Sequence, residues 1–120
     1  MPNFRNLVAW QLAQQVAVQC TRAAMRFPGG RVNPLGNQLL RACYSVPLNI
    51  AEGSGRKGSR EFRRFLDVAR GSLAEVQSAL ELARELDYIE PRQYKELQAL
   101  ADETARTLWG LLLKVSHLAT

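Results

Sequence analysis

Two long runs of apolar residues, repeating at alternating intervals of four and three, most restrict how this chain can fold. That alternation places side chains along one stripe of an α-helix and is typical of helices that pack nearly parallel. The runs predict a helix over Ser59–Leu86, about 40 Å long, and another over Pro91–His117, joined by the short connection 87–90. The repeating positions are Phe62, Leu66, Ala69, Leu73, Val76, Leu80 and Ala83, then Tyr94, Leu97, Ala101, Thr104, Leu108, Leu111, Val115 and Leu118.

Two further helices are expected upstream, separated by proline and glycine. Apolar spacing predicts a first helix over Asn6–Arg26, ended by the FPGG segment 27–30, and a second over Leu35–Gly53. The second helix contains Pro47 in its interior. We expect a kink there, because proline lacks an N–H and crowds the preceding turn.

Glycine and serine mark the turn between the second and third helices. Gly53 and Gly55 are expected to end the second helix, since glycine tolerates left-handed geometry, and Ser59 is expected to cap the third. Gly71 lies inside the third helix, where glycine costs about 1 kcal/mol relative to alanine. We therefore expect tight packing beside Gly71 as compensation.

Four helices joined by short loops predict an all-α protein, an antiparallel up-down-up-down four-helix bundle. At 120 residues, the chain is expected to form a single domain over 1–120. No alternating run predicts a β-strand, and no apolar run is long enough to span a bilayer. The N-terminal segment lacks the pattern of a signal peptide, so the expected compartment is the cytoplasm.

The residues that catalysis or metal binding would require are missing or isolated. The single histidine, His117, has no glutamate three residues before it, unlike the di-metal pattern of helical bundles. Cys20 and Cys43 lie in apolar surroundings without metal-ligand spacing, and we interpret them as reduced core residues. The glycine-rich segment 53–59 lacks the spacing of a phosphate-binding loop. We expect no enzymatic activity, no metal and no cofactor.

Positive charge is concentrated in the first part of the chain. Residues 1–70 hold 11 Lys/Arg and 3 Asp/Glu, whereas residues 71–120 hold 5 and 8. The densest stretch opens the third helix, where the helix dipole also favours an anion. The candidate nucleic-acid-binding residues are Arg56, Lys57, Arg60, Arg63 and Arg64, with Arg70 further along and Arg41 on the second helix.

Nucleic acid or another polyanion is the partner that this stretch favours. Phe62 and Phe65 are expected on the buried side, which leaves no aromatic ring for base stacking, so the backbone and not the base sequence should be recognised. The alternative interpretation is a solvated helix face on which Glu61 and Asp67 pair with neighbouring arginines.

Asn49 and Glu52 are polar positions in an otherwise apolar second helix. They follow Pro47, and we expect a structural role together with Gly53. Their side chains would hydrogen-bond the carbonyl that proline leaves free, or bond across to the third helix.

Apolar residues on the second and fourth helices exceed what the core of a single bundle requires. A monomer with this excess would expose an adhesive patch, and self-association is the simpler way to cover it. The expected interface residues are Leu100, Trp109, Leu112 and Leu113.

The segment Ser45–Arg56, SVPLNIAEGSGR, resembles a known signature, S-[IV]-P-x-N-I-A-E-G-x-G-R. That signature belongs to small four-helix bundle proteins encoded within intervening sequences of bacterial large-subunit rRNA genes, and to their chromosomal relatives. Further matching positions are Leu7, Trp10, 27–28, Gln38 and 41–42 upstream, and Phe62, 65–66, 69–75 and 86–89 downstream.

This resemblance implies a bundle assembled as a homopentamer. It also implies kinship with Avd, the accessory subunit of diversity-generating retroelements, a basic pentamer that binds a reverse transcriptase and nucleic acid. A reverse transcriptase is an expected partner only if the chain is encoded in such an element. We interpret the chain as a non-enzymatic homo-oligomer that binds RNA, DNA or a ribonucleoprotein. The alternative is a structural scaffold whose only partners are itself or other proteins.

Overall fold

Four α-helices account for most of the chain in the computed structural model, which describes residues 3–119. They are α1 (Val8–Met25), α2 (Pro34–Ser54), α3 (Ser59–Glu85) and α4 (Pro91–Ala119), with 3₁₀ turns at Phe4–Asn6 and Gly30–Val32. No strand occurs within the described residues. The predicted all-α, antiparallel up-down-up-down four-helix bundle is confirmed.

The helices form a ring around one apolar core. α1 packs against α2 and α4, and α3 packs against the same two helices. The bundle measures 46 × 23 × 20 Å. In the part of the chain that the structure describes, no helix is long and apolar enough to cross a membrane.

The two predicted seams supply much of this core. Every seam position of α3 is buried. On α4 the seam passes through Leu112 instead of Leu111, because Leu112 follows the buried Leu108 by one full turn. Leu118, expected at the end of this seam, is exposed in the last turn.

The start of α1 differs from the prediction. Residues Phe4–Asn6 form a separate 3₁₀ turn, and Leu7 is extended (φ −78°, ψ 122°) before the helix begins at Val8. The Asn3 side chain accepts a hydrogen bond from the Arg5 amide at 3.0 Å, which stabilises this short turn instead of a longer helix.

Asn33 organises the entry to α2. Its side-chain oxygen accepts from the Gly36 amide at 2.9 Å, and its amide donates to the Pro28 carbonyl at 2.7 Å. Pro34 follows as the first helical residue, a position that needs no N–H partner. The helix then continues through Pro47 without interruption to Ser54.

The α2–α3 turn is not built as predicted. Gly55 has right-handed geometry (φ −87°) and Gly53 lies within α2, so neither ends the helix by a left-handed turn. The positive φ falls at Gly58 (+87°), which occupies the N-cap of α3. Ser59 is therefore the first helical residue and not the cap, because only glycine adopts the required backbone at position 58 without strain.

Gly53 allows α2 and α3 to approach closely. A Cβ atom at this position would lie 2.6 Å from Phe65 Cβ and 3.0 Å from Phe62 Cδ1. Gly71, by contrast, faces open space, and the tight packing expected beside it is absent. The close glycine contact therefore lies at the end of α2 and not in the middle of α3.

We predict opposite effects of alanine at these two helical glycines. Gly53→Ala should destabilise the fold by about 1–3 kcal/mol, because overpacking forces α2 and α3 apart. Gly71→Ala, the matched control, should stabilise it by about 0.5–1 kcal/mol through helix propensity alone. Urea unfolding of both variants measures the difference. An unchanged or raised stability of Gly53→Ala would contradict the close contact.

Candidate nucleic-acid interface

The bundle topology gathers basic residues from distant parts of the sequence at one end. Antiparallel helices bring the start of α1, the α2–α3 turn and the last turns of α4 together. Leu7 and Val8 accordingly share a groove with Thr107, Gly110, Leu111 and Lys114. The exposed cations of this end are Arg5, Arg56, Lys57, Arg60, Arg63, Arg64 and Lys114, and we call this set the basic end.

Phe65 anchors two of these arginines. The guanidinium carbon of Arg64 lies 4.7 Å from the centroid of the Phe65 ring, and that of Arg56 lies 5.2 Å from it. Phe65 itself packs against Gly53, so the contact between α2 and α3 determines the positions of the Arg56 and Arg64 guanidinium groups. Cations placed over an aromatic face are held by the quadrupole of the ring.

Two carboxylates partly neutralise the same two arginines. Glu52 Oε1 lies 2.7 Å from Arg56 Nη2, and Glu61 Oε2 lies 2.9 Å from Arg64 Nε. The Arg64 hydrogen bond holds the pKa of the exposed Glu61 carboxyl below its usual value. Both pairs are exposed, and such pairs contribute little to stability. Of the two pairings that the solvated-face interpretation predicted, Glu61 forms one, whereas Asp67 forms no ion pair within residues 3–119.

Five of the seven cations of the basic end form no ion pair with a described residue, and three of these five lie close together in sequence. Lys57, Arg60 and Arg63 form no ion pair with any residue that the structure describes. They lie in the α2–α3 turn and the first turns of α3. The free backbone N–H groups at the start of a helix add positive potential there, so this surface favours an anion.

Arg41 is not part of the basic end. It is exposed on α2, 13 residues before Ser54, which corresponds to about 20 Å along the helix axis. Arg41 was expected among the nucleic-acid-binding residues, but its distance from the other candidates does not support that role. Arg5 and Lys114 were missed, although an up-down topology predicts that the start of α1 and the end of α4 lie beside the α2–α3 turn.

The polar residues near Pro47 form a hydrogen-bonded link between α2 and α3. Asn49 donates from Nδ2 to the Ser45 carbonyl at 2.8 Å and to Ser45 Oγ at 2.9 Å. Ser72 of α3 donates to the same Ser45 Oγ at 2.7 Å. Asn49 thus bonds to Ser45 and not to the carbonyl that proline frees. Glu52, expected to share that role, pairs instead with Arg56.

The expected interface residues of α4 lie in different environments. Leu112 is only 5% exposed and belongs to the core, because it lies on the seam, so it is not available to a partner. Leu100 is half-buried against the core, while Trp109 and Leu113 are exposed. The apolar excess predicted on the second helix contributes to a groove of about 420 Å³ between α1 and α2. Its apolar lining includes Ala17, Val18, Tyr44, Pro47 and Leu48, and Gln14, Thr21 and Arg22 add polar groups.

The predicted core positions of the cysteines are confirmed, since Cys20 and Cys43 are both free and buried. Burial raises the pKa of Cys20 to about 12 and that of Cys43 to about 11. Both thiols are therefore protonated at neutral pH and poorly nucleophilic. Within residues 3–119, no group of three or more His, Cys, Asp or Glu side chains is placed to hold a metal ion.

A four-helix ring with a Ser45–Asn49–Ser72 link and one basic end places this chain among small all-α bundle proteins. The family model described as 23S rRNA-intervening sequence protein matches residues 5–110, and the chain belongs to that family.

A solved structure supports the fold. It is the crystal structure of a protein of unknown function from the S23 ribosomal protein family of Bacteroides thetaiotaomicron VPI-5482. It matches with a TM-score of 0.79 and 21% identity, over 88% of this chain and 98% of that one. At this identity the similarity extends to the fold alone. No curated protein matches the chain.

We predict that the link through Ser45 is cooperative. Ser72→Ala should cost about 0.5–1.5 kcal/mol by removing a side-chain hydrogen bond. Asn49→Ala should couple to it by at least about 0.5 kcal/mol, because both side chains donate to Ser45 Oγ. The control is Ser78→Ala, an exposed serine of α3 that corrects for helix propensity. Additive losses in a double-mutant cycle measured by urea unfolding would show that the two bonds act independently.

Proposed function

We propose that this protein is a non-enzymatic nucleic-acid-binding bundle, which holds RNA or DNA, free or in a ribonucleoprotein, through phosphate contacts at the basic end. The observation that carries the proposal is the group Lys57, Arg60 and Arg63, exposed and without ion pairs among the described residues. An expected cytoplasmic location is consistent with such a partner.

Electrostatics favour an anion at this surface over water alone. The unpaired cations lie near the start of α3, where the helix dipole disfavours positive charge. Phosphate oxygens relieve that repulsion and accept hydrogen bonds from arginine in a bidentate geometry. Arg56 and Arg64, which are held over Phe65, extend the surface towards α2. A scaffold that binds only protein would not require this accumulation of charge.

We also propose that the protein self-associates, and the groove between α1 and α2 supports this. Leu48 is 65% exposed there, with Val18 and Tyr44 exposed beside it. A second copy that covers these residues would remove apolar surface from water. A ring is compatible with this arrangement, and five subunits are expected from the resemblance. A reverse transcriptase partner stays an expectation from the same source.

For self-association, we predict that Leu48→Glu disperses the assembly. A buried carboxylate at an apolar interface carries a large desolvation cost. Leu113→Glu on α4 is the matched control, because it places the same charge on the other exposed apolar face. Sedimentation equilibrium at micromolar concentration measures both variants. A monomeric wild-type protein would contradict self-association. Dispersal by Leu113→Glu alone would indicate that the interface lies on α4 and not at the groove.

For nucleic-acid binding, we predict a steep salt dependence that depends on Arg60 and Arg63. Each phosphate contact contributes about 0.7 to the slope of log K against log salt on single strands, and about 0.9 on duplex DNA. Arg60→Ala combined with Arg63→Ala should therefore reduce the magnitude of the slope by about 1.4 on single-stranded RNA. Arg64 is left intact because it also contacts Phe65 and Glu61. Fluorescence titrations at several salt concentrations give the slope.

The control removes the same charge from the opposite end. Arg26 and Arg31 are exposed near the α1–α2 loop. Their double substitution by alanine should leave the slope nearly unchanged, since those residues lie a bundle length away. Equal effects of the two double variants would indicate a response to net charge only. Absence of wild-type binding at low salt would overturn the proposal.

A further inference from the structure

Trp109 and Arg70 form an exposed cation–π pair next to the basic end. The Arg70 guanidinium carbon lies 4.4 Å from the centroid of the Trp109 ring. Trp109 is 42% exposed, whereas Phe65, which lies under Arg56 and Arg64, is only 9% exposed. Arg56 and Arg64 are also engaged by Glu52 and Glu61, whereas Arg70 forms no ion pair with a described residue, so a planar ligand has freer access to the Trp109–Arg70 pair.

The register between α3 and α4 fixes this pair in place. Gln77 Nε2 donates to Asp102 Oδ1 at 2.7 Å, and the two helices run antiparallel. Arg70 lies seven residues before Gln77, and Trp109 lies seven residues after Asp102. Seven residues span close to two helical turns, so Arg70 lies on the same face of α3 as Gln77, and Trp109 on the same face of α4 as Asp102. Arg70 and Trp109 are therefore neighbours across the two helices.

A second spacing of seven residues places the Arg70–Trp109 pair close to the basic end. Arg63 lies seven residues before Arg70, about 10.5 Å along the same face of α3. A continuous surface thus leads from the unpaired cation Arg63 to Arg70 and the exposed ring of Trp109. Proteins that bind single-stranded nucleic acid combine a basic path for the backbone with such stacking surfaces. In a duplex, the bases are already paired and stacked.

The geometry points to a base-stacking site for single-stranded nucleic acid at Arg70 and Trp109. An unpaired base stacks on the planar guanidinium of Arg70, which the Trp109 ring supports from beneath, while neighbouring phosphates contact the basic end. This inference rests on the proposed function, and it replaces the expectation that no aromatic is available for stacking. The contact favours unpaired over paired nucleic acid without selecting a base sequence.

The test separates stacking from charge. Arg70→Lys keeps the positive charge but removes the planar guanidinium. It should weaken binding of short oligouridylate by roughly fivefold or more, while affinity for an equal-length RNA duplex stays within about twofold. Trp109→Leu should show the same selective loss. Arg31→Lys is the matched control, because it makes the same exchange at an exposed arginine of the opposite end of the bundle, and it should leave both affinities nearly unchanged.

The outcomes distinguish this inference from the proposed function. Salt-sensitive wild-type binding with selective loss in Arg70→Lys and Trp109→Leu supports both. Salt-sensitive binding that neither variant changes on the single strand overturns the stacking site and leaves the basic end intact. Equal losses on single strand and duplex also overturn it, since they indicate a phosphate contact. No wild-type binding to either probe overturns both.

Discussion

The close contact of α2 with α3 at Gly53 is the constraint on which the rest of this structure depends. Any side chain at position 53 would collide with Phe65 and Phe62. The contact lets the two phenylalanine rings close the core at this end of the bundle. The Ser45–Ser72 hydrogen bond continues the same interface towards the middle of the helices. The signature segment Ser45–Arg56 therefore encodes a helix–helix contact, which gives its residues a physical role.

The same contact positions the charge. Phe65 packs against Gly53 through its Cβ atom, and the guanidinium groups of Arg56 and Arg64 lie over its ring. Lys57 lies in the turn immediately before Gly58, and Arg60 and Arg63 follow in the first turns of α3. A packing requirement in the core thus positions two guanidinium groups of the cationic surface. Rigid placement lowers the ordering cost of binding a polyanion.

Sequence periodicity predicted the four helices, because the apolar residues on the buried face of a helix recur every three or four positions in the sequence. The errors arose where a local rule competed with tertiary packing. Gly53 was read as a helix stop, although its absent side chain serves a helix contact. Leu112 was assigned to an interface, because apolar excess alone does not distinguish core from surface. The Arg70–Trp109 pair was missed, since it depends on the register between two helices distant in sequence.

Chemical-shift mapping tests most directly whether the surface built on the Gly53 contact is the one that binds. Backbone amide resonances are compared before and after addition of a short single-stranded RNA at low salt. We expect shifts in residues 56–64, extending along α3 to Arg70 and to Trp109 on α4. Residues 26–34 and 86–92, at the opposite end, should remain unchanged. Shifts concentrated at that opposite end, or none at saturating RNA, would contradict this expectation.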